Sequence, residues 1–555
     1  MDLIRYSLIG AIVLVGLVIA REWPAFKAEH TPIAQLSSQA IASNTPALAI
    51  ESSEEIPTIA GEGLETIPAT IDKASYSGLI SITTDVLNLT IDTIGGDIVE
   101  ASLTKYLATL GEDDPFIILE RSAQRTYIAQ SGLIGPNGTD TSAGRPRFSS
   151  AKQSYVMQDG EDTLVVDLLF TDSEGTQITK RFSLQRGNYL VNQDYIINNR
   201  GVSDWQATFY TQLKRDNSID PGADTSGMGM KPFLGVATTT ADKPYKKISF
   251  SDLADEPLKA TVTDGWVAMV QHYFISAWIA PKGETNEYST KVTSNGFNLI
   301  RYTGPAINLA PGETDTINSR FYVGPKDQEI LADIAKGLDL TVDYGFLWWI
   351  AQPLFMVLTW IQGIVGNWGF SIILLTVCVK AAFYKLSAAS YRSMAKMRLV
   401  TPKMTAIRER HADDKQAQSQ AMMELYKKEK VNPLGGCLPI VIQMPVFISL
   451  YWVLMESVEI RHAPWLGWIQ DLASMDPYFI LPLIMGASMF FQQRLNPTPP
   501  DPMQAKIMQW MPVAFTFFFL WFPAGLVLYW VTNNLLSILQ QWYITRQIEQ
   551  AQKTD

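Results

Sequence analysis

Apolar and polar positions repeat with two different periods along this chain, and the change of period divides it. Residues 6–20 form an uncharged, mostly apolar run between Arg5 and Arg21. With interfacial residues at both ends the run reaches the roughly 20 residues that a span requires, so residues 1–23 are expected to be a transmembrane anchor. A cleavable signal segment, with Val18 and Ala20 before the cut, is the competing reading, and either way the chain beyond residue 23 is exported. Residues 24–60, rich in Ala, Ser, Thr, Pro and Glu without a sustained period, predict a flexible linker. From Tyr76 onward the period is two: Leu87, Leu89 and Ile91 alternate with Asn88, Thr90 and Asp92. Residues 164–170 and 178–184, joined around Ser173-Glu174-Gly175, predict a hairpin, and 189–197, 266–280 and 317–322 predict further strands. Residues 61–330 are therefore expected to form a large all-β, sandwich-like, antiparallel domain.

Beyond residue 325 the pattern becomes helical. Residues 331–368 read as a connector and an interfacial helix. Its apolar stretch, 344–361, is interrupted by Gln352 and Pro353 and followed by Gln362, and it carries Trp348, Trp349 and Trp360, with Trp368 just beyond. Tryptophans of this kind sit at headgroup level, which favours a helix along the outer interface over the competing reading of a true span. Spans follow at 369–388, 433–457, 477–493, 507–522 and 525–543. Between them lie a polar segment at 389–432, an exported loop at 458–476 and a cytoplasmic link at 494–506, with a tail at 544–555. Counting the anchor, the fold class is a polytopic α-helical membrane protein of six spans with the β domain inserted after the first. An even count places both termini in the cytoplasm.

Charge orients this arrangement. The net charge is -11. Residues 22–343 hold 42 acidic and 25 basic side chains, whereas residues 385–430 hold 11 basic and 5 acidic. A basic loop between spans belongs on the cytoplasmic side. It divides near His411, where Asp413 or Asp414 can cap a second helix, and predicts a hairpin carrying Lys396, Arg398, Lys403, Arg408, Arg410, Lys427, Lys428 and Lys430. The two cysteines, Cys378 and Cys437, read as small buried side chains and not as a disulfide framework. Four scattered histidines lack a ligand spacing, so no metal or cofactor is expected, and nothing points to nucleic-acid specificity.

The unusual chemistry lies inside the spans. Lys380 falls about 16 Å below Gly369 at 1.5 Å per residue, and Thr376 shares its helix face. A lysine at that depth either snorkels to the cytoplasm or lines a watery cavity. Gln443, Thr516, Asn533, Asn534, Ser537, Gln540 and Gln541 lie in or near the inner halves of other spans. These groups serve either as glue between helices or as the lining of a recess open to the cytoplasm. Such a recess suits a partly polar peptide better than a stream of ions. A small-solute transporter should show repeated, interrupted spans, and no internal repeat is found. An envelope binding module would need only one anchor.

Several stretches, in order and nearly without gaps, carry a resemblance: Asn367-Trp368-Gly369-Phe370-Ser371-Ile372, Ser393-Met394-Ala395-Lys396-Met397, Asn432-Pro433-Leu434-Gly435-Gly436-Cys437, Ile442-Gln443-Met444-Pro445, Asp501-Pro502-Met503-Gln504 and Leu520-Trp521-Phe522-Pro523. Over essentially its whole length the chain resembles the YidC, Oxa and Alb insertases, specifically the long YidC proteins of Gram-negative bacteria. The resemblance implies an inner-membrane insertase and chaperone without catalytic residues, cofactor or ATP use. It implies nascent inner-membrane proteins, the Sec translocon and the lipid bilayer as partners. The family's intramembrane positive residue, usually arginine, falls at Lys380. Substrate sliding contacts are implied at Thr376, Trp530 and the adjoining Tyr529, with Trp530 standing where tyrosine is common. Ribosome contact is expected through the cytoplasmic loops with little help from the tail, where only Arg546 and Lys553 follow the last span.

Overall fold

The computed structural model describes residues 55–57, 78–142, 144–221, 232–411, 414–429, 438–495 and 502–554. The expected anchor, most of the linker, Lys430 and Cys437 lie outside them.

The period-two region folds as two stacked sheets, one of ten strands and one of nine. Leu87–Asp92 is a strand of the first, and Thr163–Thr171 pairs antiparallel with Gln177–Gln185 in the second, around the expected turn. One pairing departs from the antiparallel expectation: Leu79–Thr83 runs parallel to Ser154–Val156, so the ten-stranded sheet is mixed. Buried aromatic residues such as Trp205, Trp278 and Phe321 fill the space between the layers. Polar bridges also cross it, with the Tyr127 hydroxyl 2.5 Å from that of Ser276 and the Ser131 hydroxyl donating to Gln193 Oε1 at 2.9 Å. The run at 266–280 is two strands, Trp266–Val270 and Phe274–Ile279. A turn closed by Gln271 N–H on Phe274 O at 3.0 Å separates them.

Helix α1, Gln328–Ile334, follows the last strand and is capped by Asp327, whose Oδ1 accepts from the amides of Glu329 and Ile330 at 3.0 and 3.1 Å. The remaining helices are α2 (Trp348–Val365), α3 (Trp368–Ala382), α4 (Tyr384–Arg410), α5 (Lys415–Glu429), α6 (Leu438–Glu456), α7 (Ile480–Leu495), α8 (Pro502–Phe518) and α9 (Ala524–Thr554). Among the described residues, only the helical stretch Gly345–Val365 is by itself long and apolar enough to cross a membrane; α3 and the start of α4 qualify only together, as a pair bent by 69°.

That bend corrects the expected continuous span at 369–388. The helix breaks at Phe383, so Lys385 belongs to α4 and does not lie deeper on the axis of α3. Helix α9 continues through the expected tail to Thr554. Cys378 is exposed rather than buried, since it lies on the face of α3 turned away from the bundle.

Contacts give the helices their direction. The C-terminal end of α6 touches the sheet domain, where Lys326 Nζ meets Glu456 at 2.7 Å. Asn367, which caps α3, donates to the carbonyls of Pro464 and Trp465 in the loop after α6 at 3.2 and 3.3 Å. The same loop receives the amides of Ala524 and Gly525 on the carbonyls of Ser474 and Leu472 at 2.7 and 2.9 Å. The starts of α3 and α9 therefore lie on the sheet-domain side with the end of α6. At the opposite end, Arg398 of α4 donates to the Arg494 and Leu495 carbonyls at the end of α7.

Helices α4 and α5 form the expected antiparallel hairpin. Val400, Met404 and Leu425 make its apolar seam, and Lys403 pairs with Glu429 at 2.7 Å. Asp414 Oδ1 caps α5 through the amides of Gln416 and Ala417 at 2.9 and 3.0 Å. The base of the hairpin is also fixed: Ala388 and Tyr391 pack on Ile544 in the extension of α9.

Candidate functional site

Lys380 occupies the last turn of α3, where the carbonyl end of the helix favours a cation. It is 7% exposed, and its Nζ donates to Ser537 Oγ of α9 at 2.7 Å and, more weakly, to Gln443 Oε1 of α6 at 3.4 Å. Ser537 in turn donates to the Asn533 carbonyl one turn earlier, at 2.7 Å. Two helices, α9 and α6, thus place a hydroxyl and a carboxamide against the ammonium carried by a third. No described carboxylate forms an ion pair with it. An ion held only by neutral dipoles in a low-dielectric setting retains a strong attraction for an added anion.

The other predicted polar residues divide around this centre. Asn534 donates to Ser488 Oγ of α7 at 3.1 Å, and Ser488 donates to the Met485 carbonyl at 2.6 Å. Thr516 of α8 donates to the Pro512 carbonyl at 2.7 Å and packs against Gly486, where an added Cβ would stand 1.9 Å from Thr516 Oγ1. This second group joins α7 to α8 and α9 and is separate from the Lys380 cluster. Gln540 donates to the Tyr384 carbonyl at the start of α4 at 3.2 Å, and Gln541 to the Leu495 carbonyl at the end of α7 at 3.1 Å.

Thr376 shares the Lys380 face but is fully buried, its hydroxyl donating to the Ile372 carbonyl at 2.7 Å. Trp530 is half-buried in an aromatic group, with Phe447 edge-on at 4.6 Å and Phe519 at 5.5 Å between ring centroids. Its indole N–H is buried without an acceptor. Tyr529 is buried and stacks on Phe447 at 6.3 Å. On the hairpin, Lys396, Arg398, Lys403, Arg410, Lys427 and Lys428 are exposed, whereas Arg408 is half-buried.

Sequence reasoning missed the junction between the sheet domain and the bundle. His272, in the turn that divides 266–280, donates through Nε2 to the Met455 carbonyl at 2.8 Å. Burial, with Lys326 nearby, pushes its pKa down to about 3, so the ring is neutral. Arg461 donates to the carbonyls of Leu107 and Ala108 at 2.8 and 3.0 Å and lies over Phe116 and Phe274. Burial and the nearby Asp327 and Glu329 carboxylates raise the Glu459 pKa to about 7. A charged residue at the end of an apolar helix, as Glu456 is, was the available signal; its partner 130 residues away was not.

Two family models match the chain: the YidC periplasmic domain over residues 79–357 and the 60Kd inner membrane protein over residues 360–552. The chain is 52% identical to the membrane protein insertase YidC of Marinomonas sp. (strain MWYL1), over 99% of this chain and 100% of that one. It is 53% identical to the membrane protein insertase YidC of Pseudomonas fluorescens (strain Pf0-1), over 100% and 99% of the two chains. A crystal structure of an active YidC insertase with its first transmembrane domain resolved aligns at a TM-score of 0.37 and 17% identity, covering 85% of this chain and 93% of that one.

Proposed function

The chain belongs to the YidC/Oxa1 family of membrane insertases, in its long Gram-negative form, and from that premise we propose that the Lys380 cluster is where a client's hydrophilic segment enters the bilayer. The chain is an insertase and chaperone of the bacterial inner membrane, and it works by binding and transfer without covalent chemistry. The observation that carries the site assignment is the buried ammonium of Lys380, held by Ser537 and Gln443 with no described carboxylate partner.

In this reading a newly made inner-membrane protein meets the basic hairpin on the cytoplasmic side. Its acidic N-terminal tail or loop is drawn to Lys380, while Gln443, Asn533 and Ser537 replace part of its hydration. Helices α3, α7 and α8 have 15, 16 and 17 residues. At 1.5 Å per residue these span about 22 to 26 Å, less than the roughly 30 Å hydrocarbon core, which favours local thinning. The client's apolar segment leaves past Trp530 into lipid, and its burial there drives the transfer. The membrane potential adds about 2.3 kcal/mol per acidic charge per 100 mV.

We read the topology as six spans, α3, α6, α7, α8 and α9 with the N-terminal anchor, both termini being cytoplasmic. Helix α2 lies along the outer surface in this reading. Asn367, immediately beyond its C-terminus, touches Pro464 and Trp465, and Gly345 at its start packs near Trp452 at the outer end of α6. Both ends thus meet the sheet-domain side. The Sec translocon is a partner in this reading, and the ribosome reaches the hairpin.

Insertion of a single-span client with an acidic exported tail into proteoliposomes tests the site. Protease protection of the tail is expected with the native chain and with Lys380→Arg, and is expected to be lost with Lys380→Ala. Equal protection in all three removes Lys380 from the machinery.

A further inference from the structure

Residues 24–60 read as a linker, yet three of them are seated on the sheet domain. Glu55 is 3% exposed, and its carboxylate lies 2.6 Å from Lys214 Nζ. Lys214 belongs to the strand Trp205–Arg215 inside the ten-stranded sheet, with Leu299 and Ile128 as its neighbours on the flanking strands. Alternation identifies the face it occupies. Arg215 pairs with Tyr127, whose hydroxyl reaches Ser276 of the other sheet, so Lys214 points outward, away from the interior of the sandwich.

That outer face is unusual. Outward positions of a sandwich ordinarily carry solvated side chains. Here Lys214 is buried, and its ammonium stands 4.3 Å from the centre of the Phe297 ring. The next outward position is Gln212, which lies across from Gln130 on one side and Arg301 on the other. Gln212 donates to Gln130 Oε1 at 2.7 Å, and Gln130 donates to Asp97 at 2.8 Å. Arg301 is 8% exposed and Gln212 2% exposed, and Arg301 Nη1 and Gln212 Oε1 have no partner. A buried donor and a buried acceptor, each unmet and on facing residues, are costly unless a further chain satisfies them.

We propose that this face, around Lys214, Gln212 and Arg301, is a docking groove for an acidic extended peptide, and that its resident occupant is the chain's own Glu55-Ile56-Pro57. The Glu55 carboxylate neutralises Lys214, while Arg301 and Gln212 offer a donor and an acceptor to the backbone or to a second carboxylate of the docked segment. Docking turns one point of the linker into a fixed attachment and moves the place where the domain is held from its first strand, Leu79–Thr83, back to Glu55.

The test uses the full-length chain in detergent, carrying Cys378→Ser, Cys437→Ser and Ile56→Cys. Maleimide labelling at position 56 is expected to be at least about tenfold faster once Glu55→Gln or Lys214→Ala is added, since tenfold corresponds to about 1.4 kcal/mol of docking. It is expected to slow again in the double reversal Glu55→Lys with Lys214→Glu. Equal labelling with and without Glu55→Gln, a change that leaves the groove itself intact, overturns the proposal. The acetylated peptide Ser-Glu-Glu-Ile-Pro-Thr, added to the Glu55→Gln chain, is expected to bind saturably, to lose binding with Lys214→Ala and to weaken with Arg301→Gln. Absence of saturable binding also overturns it. Neither readout involves insertion, so this groove and the Lys380 recess fail independently.

Discussion

The sheet domain and the helical bundle treat a buried lysine differently. In the domain, Lys214 and Lys326 each face a carboxylate, Glu55 at 2.6 Å and Glu456 of α6 at 2.7 Å. Lys180 donates to the carbonyls of Gly95 and Ser131 at 3.0 and 3.3 Å, and burial brings its pKa down to about 7 despite the nearby Asp97. In the bundle, Lys380 has only a hydroxyl and a carboxamide. Each of the first two lysines is neutralised by a carboxylate of the chain itself. Lys380 is left with electrostatic capacity for something that is not part of the chain, which is what an acceptor of acidic segments requires.

Charge reversal should break this comparison most severely. Lys380→Glu is expected to reduce insertion of an acidic-tailed client by more than about tenfold, a loss exceeding about 1.4 kcal/mol. A client whose tail is made basic should recover part of that loss in the proteoliposome assay. If both clients insert normally, Lys380 is as structural as the lysines of the domain.

A stability measurement sharpens the other side. Lys326→Ala leaves Glu456 buried and unpaired, and is expected to cost about 3 to 5 kcal/mol in denaturant unfolding of the junction. The double change Lys326→Met with Glu456→Leu should restore most of it, because well-packed apolar replacements of a buried pair are often neutral. Lys380→Met, by contrast, should leave unfolding nearly unchanged.

Gly486→Ala should cost about 1 to 3 kcal/mol, since the new methyl overlaps Thr516 Oγ1. Adding Thr516→Ala should recover much of it. Full recovery with normal insertion would confirm that Thr516 serves α7–α8 packing apart from the Lys380 cluster.

The smallest effect concerns pH. The folded pKa of Glu459 is raised to about 7 from an ordinary 4.5, so the folded form binds more protons than the unfolded form between those values. Its contribution therefore falls as pH rises from about 4.5 to about 7. His272 has the opposite sign, its folded pKa being lowered to about 3 from 6.5, so its contribution is lost as pH falls from about 6.5 to about 3. Glu459→Gln removes this downward contribution, so Tm should rise more, or fall less, between pH 4.5 and 7 in the variant than in the native chain.

Much of the fold was legible in the sequence because its signals are local. Alternation at Leu87, Leu89 and Ile91 marks a strand wherever that strand pairs, and Asp414 caps α5 from two and three residues away. The basic island identifies the hairpin, and an apolar run containing a lysine identifies Lys380 as unusual. Other features were not legible. No proline or glycine stands at Phe383, yet the helix breaks there and α4 leaves the axis of α3 with a 69° bend. The strand pattern at 266–280 concealed the His272 turn that docks on Met455. The polar residues of the spans formed a single inventory in the sequence, whereas the structure separates Lys380, Gln443 and Ser537 from Asn534, Ser488 and Thr516.

Residue order alone was enough to establish where the chain becomes apolar, which loop is basic and which side chains are costly to bury, because periodicity and transfer energy belong to each segment. Which costly groups meet was settled by packing. Lys380 reaches Ser537 across 157 residues, Lys326 reaches Glu456 across 130, and Glu55 reaches Lys214 across 159. A helix of 3.6 residues per turn presents a different face with a rotation of a fraction of a turn, so partners over such separations depend on how whole elements stack and not on any local pattern.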